Sequence, residues 1–276
     1  MRSIYVQPPK GTYEIIVVDN ASVDGSANMI ESEFPDVVLI CNAKNFGYAR
    51  ANNQGAEIAK GKYILLLGSD TEVRGNALEK MIQFMNEYHN AGAVGCKLVT
   101  PDGKLQPSCK RFPTPLNAAA LYCSLNWLNS GYLMKKFKHD VVRSVDQPDA
   151  TCLIVRKAIV DSFGLFDERL TILYNDVELC RRIKHSGWEI YFTPLAVVMH
   201  HGSRSTKQAN PKLRLEMYCN ILLYYRMHFG RKAEYFLLPI LLFRLMAVTK
   251  SPIALKLFSF HHDTKAELSL LHSQLR

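Results

Sequence analysis

The sequence predicts an α/β fold: a doubly wound, mostly parallel sheet covered by helices, followed by a helical C-terminal extension. Three observations carry this reading. Aliphatic and β-branched runs alternate with helical stretches over the first two hundred residues. The runs are continuously apolar rather than alternating, which marks strands buried on both faces. Beyond Pro211 the strand-like runs stop and a helical pattern continues to the end of the chain.

The elements follow in order. Residues 14–18 (EIIVV) form a β-branched strand that ends at Asp19, and a helix over 24–34 follows, with Ser22 and Asp24 as candidate caps. A second strand covers 37–41. The Ala-rich stretch 48–60 is a helix ended by Gly61, and 62–67 (KYILLL) is a third strand. A helix over 76–88, a strand over 93–99 and a Pro-Asp-Gly turn come next. The segment 110–140 lacks periodicity and mixes prolines, aromatics and the basic cluster Lys135, Lys136 and Lys138. Strands return at 151–156, 188–192 and 196–200, with a helix over 177–185 between them.

Of the 276 residues, 48% are hydrophobic and 21% charged, near globular averages, which excludes a disordered chain or a coiled-coil rod. The net charge of +9 is unevenly placed. Residues 1–203 carry 22 basic and 21 acidic side chains, whereas 204–276 carry 12 and 4. A boundary is therefore expected near 202–206, between a first unit (1–203) and a basic helical extension (204–276). Such an excess calls for an anionic partner. Nucleic acid is not expected, because no recognised module or aromatic–basic interleaving is present. The apolar block 235–248, flanked by Arg226, Arg231, Lys232 and Lys250, suits an anionic membrane surface. The alternative is a helix packed on the first unit with a solvated basic face. The block is too short to span a bilayer, which takes about 20 residues. Seven cysteines without CxxC spacing read as free thiols of a reducing cytosol. Residues 1–10 lack the apolar core of a signal peptide. The expected location is cytoplasmic, peripheral at the inner face of the cell membrane.

In open α/β sheets, ligands bind beyond the carboxyl ends of the strands. Asp19 with Asn20 follows the first strand, Asp70 follows KYILLL, and Asp176 lies in a turn before a helix. Acids so placed suit a ribose, a divalent cation and a general base; each alone could equally be a helix cap or an Asx turn. The stretch 42–55 (NAKNFGYARANNQG) adds Asn45, Asn52 and Asn53 at a loop-to-helix junction. There, free N–H groups favour a phosphate or a base edge, and Gly47 allows positive φ.

Three extended segments stand in one order: 14–26 (EIIVVDNASVDGS), 45–73 (NFGYARANNQGAEIAKGKYILLLGSDTEV) and 166–202 (FDERLTILYNDVELCRRIKHSGWEIYFTPLAVVMHHG). Together they resemble family 2 glycosyltransferases of the GT-A fold, and among these the rhamnosyltransferase-like group. The resemblance covers about residues 10–205. It implies a Rossmann-like GT-A sheet and an inverting transfer of a sugar, rhamnose first, from a nucleoside-diphosphate donor to a polysaccharide or lipid-linked glycan acceptor. It implies that Asp19 and Asn20 contact the base or ribose, and that Asn45, Gly47, Asn52 and Asn53 form the nucleotide-side loop and helix. Gly68-Ser69-Asp70 stands where the family's DxD-type signature lies, often N-P-D in this group, and places Ser69 and Asp70 at the donor. With one carboxylate left there, a Mg²⁺ or Mn²⁺ cofactor would lean on diphosphate oxygens and water, with Asp70 and His200 as its protein ligands. Asp176 matches the catalytic base; the family's acidic neighbour is replaced by Asn175.

Two departures qualify the match. Family members open with a strand, a turn and a helix before the segment that begins here at residue 14, whereas only residues 1–10 and a short turn precede it. The first unit is thus expected to be N-terminally incomplete, and the alternative function is a catalytically inactive GT-A-like binding or scaffold protein. The second is Asp149-Ala150-Thr151-Cys152, on the acceptor side, where the family usually has Gly-Ala.

Overall fold

The computed structural model describes residues 1–202 and 211–249. The boundary expected near 202–206 and the helical reading of 250–276 therefore lie largely or wholly outside the described residues. The chain opens with a short helix α1 (Arg2–Val6), then β1 (Ile16–Asp19), α2 (Ser26–Glu33), β2 (Val38–Cys41) and α3 (Tyr48–Ile58). β1 and β2 pair in parallel, Ile16 opposite Val38. Next come β3 (Tyr63–Leu67), β4 (Thr71–Arg74), α4 (Ala77–Glu87), β5 (Ala91–Val99), β6 (Leu105–Gln106) and β7 (Cys109–Lys110). α5 (Pro115–Tyr122) starts at a capping box in which Thr114 and Asn117 satisfy each other's backbone N–H, with Pro115 at the first helical position. A 3₁₀ turn (Asn126–Asn129), β8 (Arg143–Ser144), β9 (Gln147–Pro148), β10 (Cys152–Arg156), α6 (Lys157–Phe163), α7 (Asn175–His185), β11 (Glu189–His200) and α8 (Pro211–Thr249) complete it.

The main sheet runs β3-β10-β5-β11-β4, with β6 on β5 and β8 on β11. β5 and β11 are parallel, and β10 is antiparallel to both β3 and β5, so β3, β5 and β11 point one way. β4 opposes β11. The strands expected at 188–192 and 196–200 are one strand, β11. Its register shifts between Thr193 and Val197, where Pro194 cannot donate to the ladder.

β1 and β2 form their own two-stranded sheet among the described residues. Helix α3 joins it to the main sheet: a Cβ on Gly55 would lie 3.6 Å from Ile16 and Val18, while Ala49 and Ala56 belong to the cluster that holds Ile64 and Leu66 of β3.

Each face of the main sheet is apolar because its strands are. On one side Leu153, Val155, Ile190 and Phe192 meet Leu179 and Ile183 of α7. On the other, α4 presents Leu78, Met81 and Met85, spaced at three and four residues, to Val94, Leu98 and Val198. Full burial of one such side chain contributes about 1.5–3 kcal/mol. Gly95 of β5 is required by β9: a Cβ there would come within 2.5 Å of Pro148. The strand carrying Gln147 can lie on the sheet only over a glycine.

Helix α8 is two helices meeting at Gly230, whose φ of 78° and ψ of 178° break the spiral. Its inner face (Leu215, Leu222, Leu237, Leu241) shares one cluster with Ala118 of α5, Leu170 and Val177. Among the described residues no helix is long and apolar enough to cross a membrane. All seven cysteines are free.

Candidate active site

Asp19 ends β1, Asp70 follows β3 and Asp176 is in the opening turn of α7. Asp19, the last residue of β1, is buried, and its Oδ2 accepts the backbone N–H of Ser22 at 3.0 Å. Asn20 organises the next loop. Its Nδ2 donates to Asn45 Oδ1 (2.9 Å) and the Gly47 carbonyl (3.1 Å), and its Oδ1 accepts from Phe46 N–H (2.9 Å) and Asn42 Nδ2 (3.2 Å). Asn45 Oδ1 also accepts from Gly47 N–H. Asn20, Asn45 and Gly47 thus form one hydrogen-bonded rim at the carboxyl ends of β1 and β2, next to Asp19.

The α3 N-terminus differs from the sequence expectation. The N–H groups of Tyr48 and Ala49 are not free: both donate to the Thr171 carbonyl, at 3.0 and 3.3 Å. Asn52 donates back to the Tyr48 carbonyl within the helix, and Asn53 clasps Phe166 through both its backbone N–H and carbonyl. The Asn53 amide thus holds α3 to the 166–168 turn, while the Asn52 amide is turned back on its own helix. Gly47 has φ +86°, and a Cβ there would sit 3.2 Å from the Thr171 carbonyl oxygen. Gly47→Ala is accordingly expected to cost about 1–3 kcal/mol of stability, from left-handed strain and the forced retreat of Thr171, measurable as a lower midpoint in urea unfolding.

Asp70 follows β3 in the tight turn Gly68-Ser69-Asp70, pinned by Gly68 N–H on the Thr151 carbonyl (2.9 Å) and His201 N–H on the Asp70 carbonyl (2.9 Å). Its Oδ2 lies 3.2 Å from His200 Nε2. His200, 5% exposed at the end of β11, has its Nδ1 2.9 Å from Gln106 Nε2 and 3.1 Å from Gln106 Oε1. The carboxylate and the imidazole form an oxygen–nitrogen pair whose outer partner is the Gln106 amide. Among the described residues no hydrogen bond holds the Ser69 side chain.

Asp176 lies in the first turn of α7. The residue before that helix, Tyr174, has φ 65°, an uncommon conformation for a bulky side chain. Asn175 Nδ2 donates to the Leu170 carbonyl and holds the turn. Asp176 Oδ1 accepts from Val177 N–H at 2.8 Å, and Oδ2 accepts from Gln147 Nε2 at 3.3 Å. Burial pushes its carboxyl above the usual range, and the neighbouring Asp149 carboxylate adds to this; Lys110, the Val177 N–H and Gln147 act the other way. Asp149 is itself fixed through Thr151 N–H and Oγ1, at 2.9 and 2.6 Å. Since Thr151 also holds Gly68, the Asp70 turn and the Asp149–Asp176 pair share one residue. Tyr48, partly exposed, stands beside this pair: desolvation, then the charges of Asp176 and Asp149, raise its hydroxyl above the usual tyrosine range. Tyr132 is pushed up to about 12 by burial and by Asp176.

Sequence reasoning missed Gln106, Gln147, Lys110 and the two α8 residues on the 171–173 loop. Thr171 Oγ1 donates to Glu216, and Asn220 Oδ1 accepts from Ile172 N–H at 2.9 Å. No local signal marks these residues, because only folding brings them to the site. Asp149 was visible as a departure from the family pattern.

The comparisons agree with this architecture. The family described as Glycosyl transferase family 2 matches residues 1–159. The chain is 27% identical over 218 residues to "Uncharacterized protein y4gI" of Sinorhizobium fredii, covering 74% of this chain and 23% of that one. It is 26% identical over 208 residues to the N-acetylglucosaminyl-diphospho-decaprenol L-rhamnosyltransferase of Mycobacterium tuberculosis, covering 70% and 67%. Among solved structures, GalNAc-T7 with UDP, GalNAc and Mn²⁺ superposes with a TM-score of 0.63 at 15% identity, over 99% of this chain and 50% of that one. At that identity the likeness speaks for the fold, which is GT-A. The chain thus spans about a quarter of the first relative, two thirds of the second and half of the structural neighbour. With a family match across more than half its length, the chain belongs to glycosyl transferase family 2.

Proposed function

We propose that the chain transfers a sugar, rhamnose first, from a nucleoside-diphosphate donor to a glycan or lipid-linked acceptor, with inversion at the anomeric carbon. The observation that carries this reading is Asp176: a carboxyl raised by burial and Asp149, yet aimed by Gln147 and Val177, on a turn tied to the Asp70 loop. The sugar and the lipid-linked acceptor are suggested by the M. tuberculosis relative's name.

In the proposed reaction the acceptor hydroxyl oxygen attacks the anomeric carbon, the bond to the diphosphate oxygen breaks, and the hydroxyl proton passes to Asp176. A base in reach of that proton contributes about 10²–10⁴-fold. Asp19, Asn20, Asn45 and Gly47 would seat the nucleoside, and Ser69 the diphosphate side.

Among the described residues no group of three or more His, Cys, Asp or Glu gathers as a metal cage. The Asp70–His200 pair nevertheless fits a divalent ion of the Mg²⁺ or Mn²⁺ kind, which binds through few protein ligands plus phosphate oxygens and water. When bound, such an ion supplies Lewis-acid stabilisation of the leaving diphosphate. Mn²⁺ accompanies UDP in GalNAc-T7. A further proposed partner is an anionic membrane surface.

Two measurements test this reading. Proton NMR of the product formed from a nucleoside-diphosphate sugar is expected to show the opposite anomer; retention, or no turnover under any donor, would overturn it in favour of the scaffold alternative. The pH profile of kcat/KM should rise with pH as Asp176 ionises. Asp149→Asn removes a charge that raises its pKa, so the acidic limb moves to lower pH. Lys110→Met removes one that lowers it, so the limb moves to higher pH.

A further inference from the structure

From Tyr235 to Val248 the second half of α8 is apolar on its inner and outer faces alike, Arg244 apart. Its inner residues Ala233, Leu237, Leu241 and Leu245 are buried, while Phe236, Phe243 and Met246 on the outside are exposed, Phe243 by 73%. A helix apolar all round is one that meets a second apolar phase. Beside it lies a groove of about 510 Å³ lined by Tyr122, Cys123 and Ser124 from the end of α5 and by Pro239, Ile240 and Phe243 from α8, with Arg244 at its edge.

The chain beyond α5 extends the same surface. The 3₁₀ turn is held to α5 by paired Asn117–Asn129 hydrogen bonds, and it leaves Trp127 70% and Leu128 51% exposed; Leu116 on α5 is 72% exposed. Lys135 N–H bonds back to the Ser130 carbonyl, which brings the basic cluster Lys135, Lys136 and Lys138 next to this turn. Residues 103–139 contain six basic side chains and no acidic one. In the second half of α8 the one acid, Glu234, is buried, while Arg231, Lys232 and Arg244 are exposed. The apolar patch is therefore bordered mainly by cations, with Asp140 the exposed acid that follows the lysine cluster.

We propose that this face, formed by Trp127, Leu128, Phe243 and the groove between α5 and α8, is the surface on which the protein lies against an anionic lipid bilayer. Aromatic side chains enter the headgroup boundary, the groove takes a hydrocarbon chain, and the lysines and arginines meet lipid phosphates. This deepens the membrane contact named above. It assigns the contact to the catalytic domain's own 115–138 segment together with the outer face of α8, rather than to the charge of the tail as a whole.

The test is co-sedimentation of the full chain with vesicles of phosphatidylglycerol in phosphatidylcholine, against phosphatidylcholine alone, at low and high salt. Wild type should prefer the anionic vesicles, and Trp127→Glu with Phe243→Glu should weaken binding by about tenfold or more. Both side chains are exposed, so an unchanged circular dichroism melt certifies the variant's fold. Equal binding by wild type and variant, or no binding by either, overturns the proposal. So does a solution dimer that the double variant dissociates, which would assign the face to a second copy. Protection from hydrogen exchange over 239–247 without lipid, lost when the chain is cut after Thr249, would assign it to the chain's own C-terminal segment and also overturn it. Sugar transfer to a short water-soluble acceptor reads the catalytic proposal separately: it should be the same in the double variant and wild type, and its loss in both would strike the transferase reading alone.

Discussion

Asp176→Asn should lower turnover by about 10²–10⁴-fold while raising the thermal midpoint at neutral pH. The two effects have one origin. The carboxyl is held partly buried beside Asp149, so its pKa is raised in the folded chain above its value in the unfolded one. The folded state then binds the proton more tightly, and stability falls as pH rises from the ordinary carboxylate range through the raised pKa. An amide cannot take the acceptor's proton. Its oxygen still accepts from Val177 N–H, and no charge remains to be desolvated. The opposed signs separate this account from a merely structural role, in which activity and stability would fall together. Steady-state kinetics and calorimetry on one purified variant decide it; unchanged turnover would remove Asp176 from the reaction.

Asp70→Ala should lower kcat/KM by about 10²–10³-fold, the usual cost of losing one stabiliser of developing charge. The neighbouring amide makes a finer test. Gln106 has both its nitrogen and its oxygen within 3.1 Å of His200 Nδ1. When His200 Nε2 carries the proton and faces Asp70, Nδ1 accepts from the amide nitrogen. When the Nε2 lone pair is wanted for a cation, Nδ1–H donates to the amide oxygen. The amide thus satisfies either tautomer without moving a backbone atom. Gln106→Leu should cost about 10–100-fold in metal affinity, read as a higher Mn²⁺ concentration at half-maximal rate. If metal dependence is unchanged in both variants, the pair holds no ion.

The split between what could be read from the sequence and what could not is physical. The apolar runs within 14–18, 62–67 and 93–99 are strands by the β-branched and aliphatic residues they contain; β5 is buried on both faces, whereas β3 alternates buried and half-buried positions and β1 is mostly half-buried. The antiparallel insertion of β10 between β3 and β5 is not a property of the residues themselves: a doubly covered strand is apolar in either direction. Asp19, Asp70 and Asp176 stand out because strand ends and helix starts are local. Gln147 belongs to a two-residue strand paired with distant β7, and Gln106 to one that returns across the 100–104 turn onto β5; only the folded sheet carries them to Asp176 and His200. The tail's charge separates it from the rest, but its buried face is continuous with Leu170 and Val177.

That continuity runs through one residue. Thr171 caps α3 with its carbonyl and is gripped through its hydroxyl by Glu216 of α8, with Asn220 on the next peptide. It behaves as a keystone between the rim at Asn45–Gly47 and the C-terminal helix. An engineer who trims the chain where its charge changes sign, or grafts another terminal helix onto it, would release the keystone and loosen the rim at Asn45–Gly47 without touching one of its residues. Helix α8 is tied to the candidate site and is not a detachable handle.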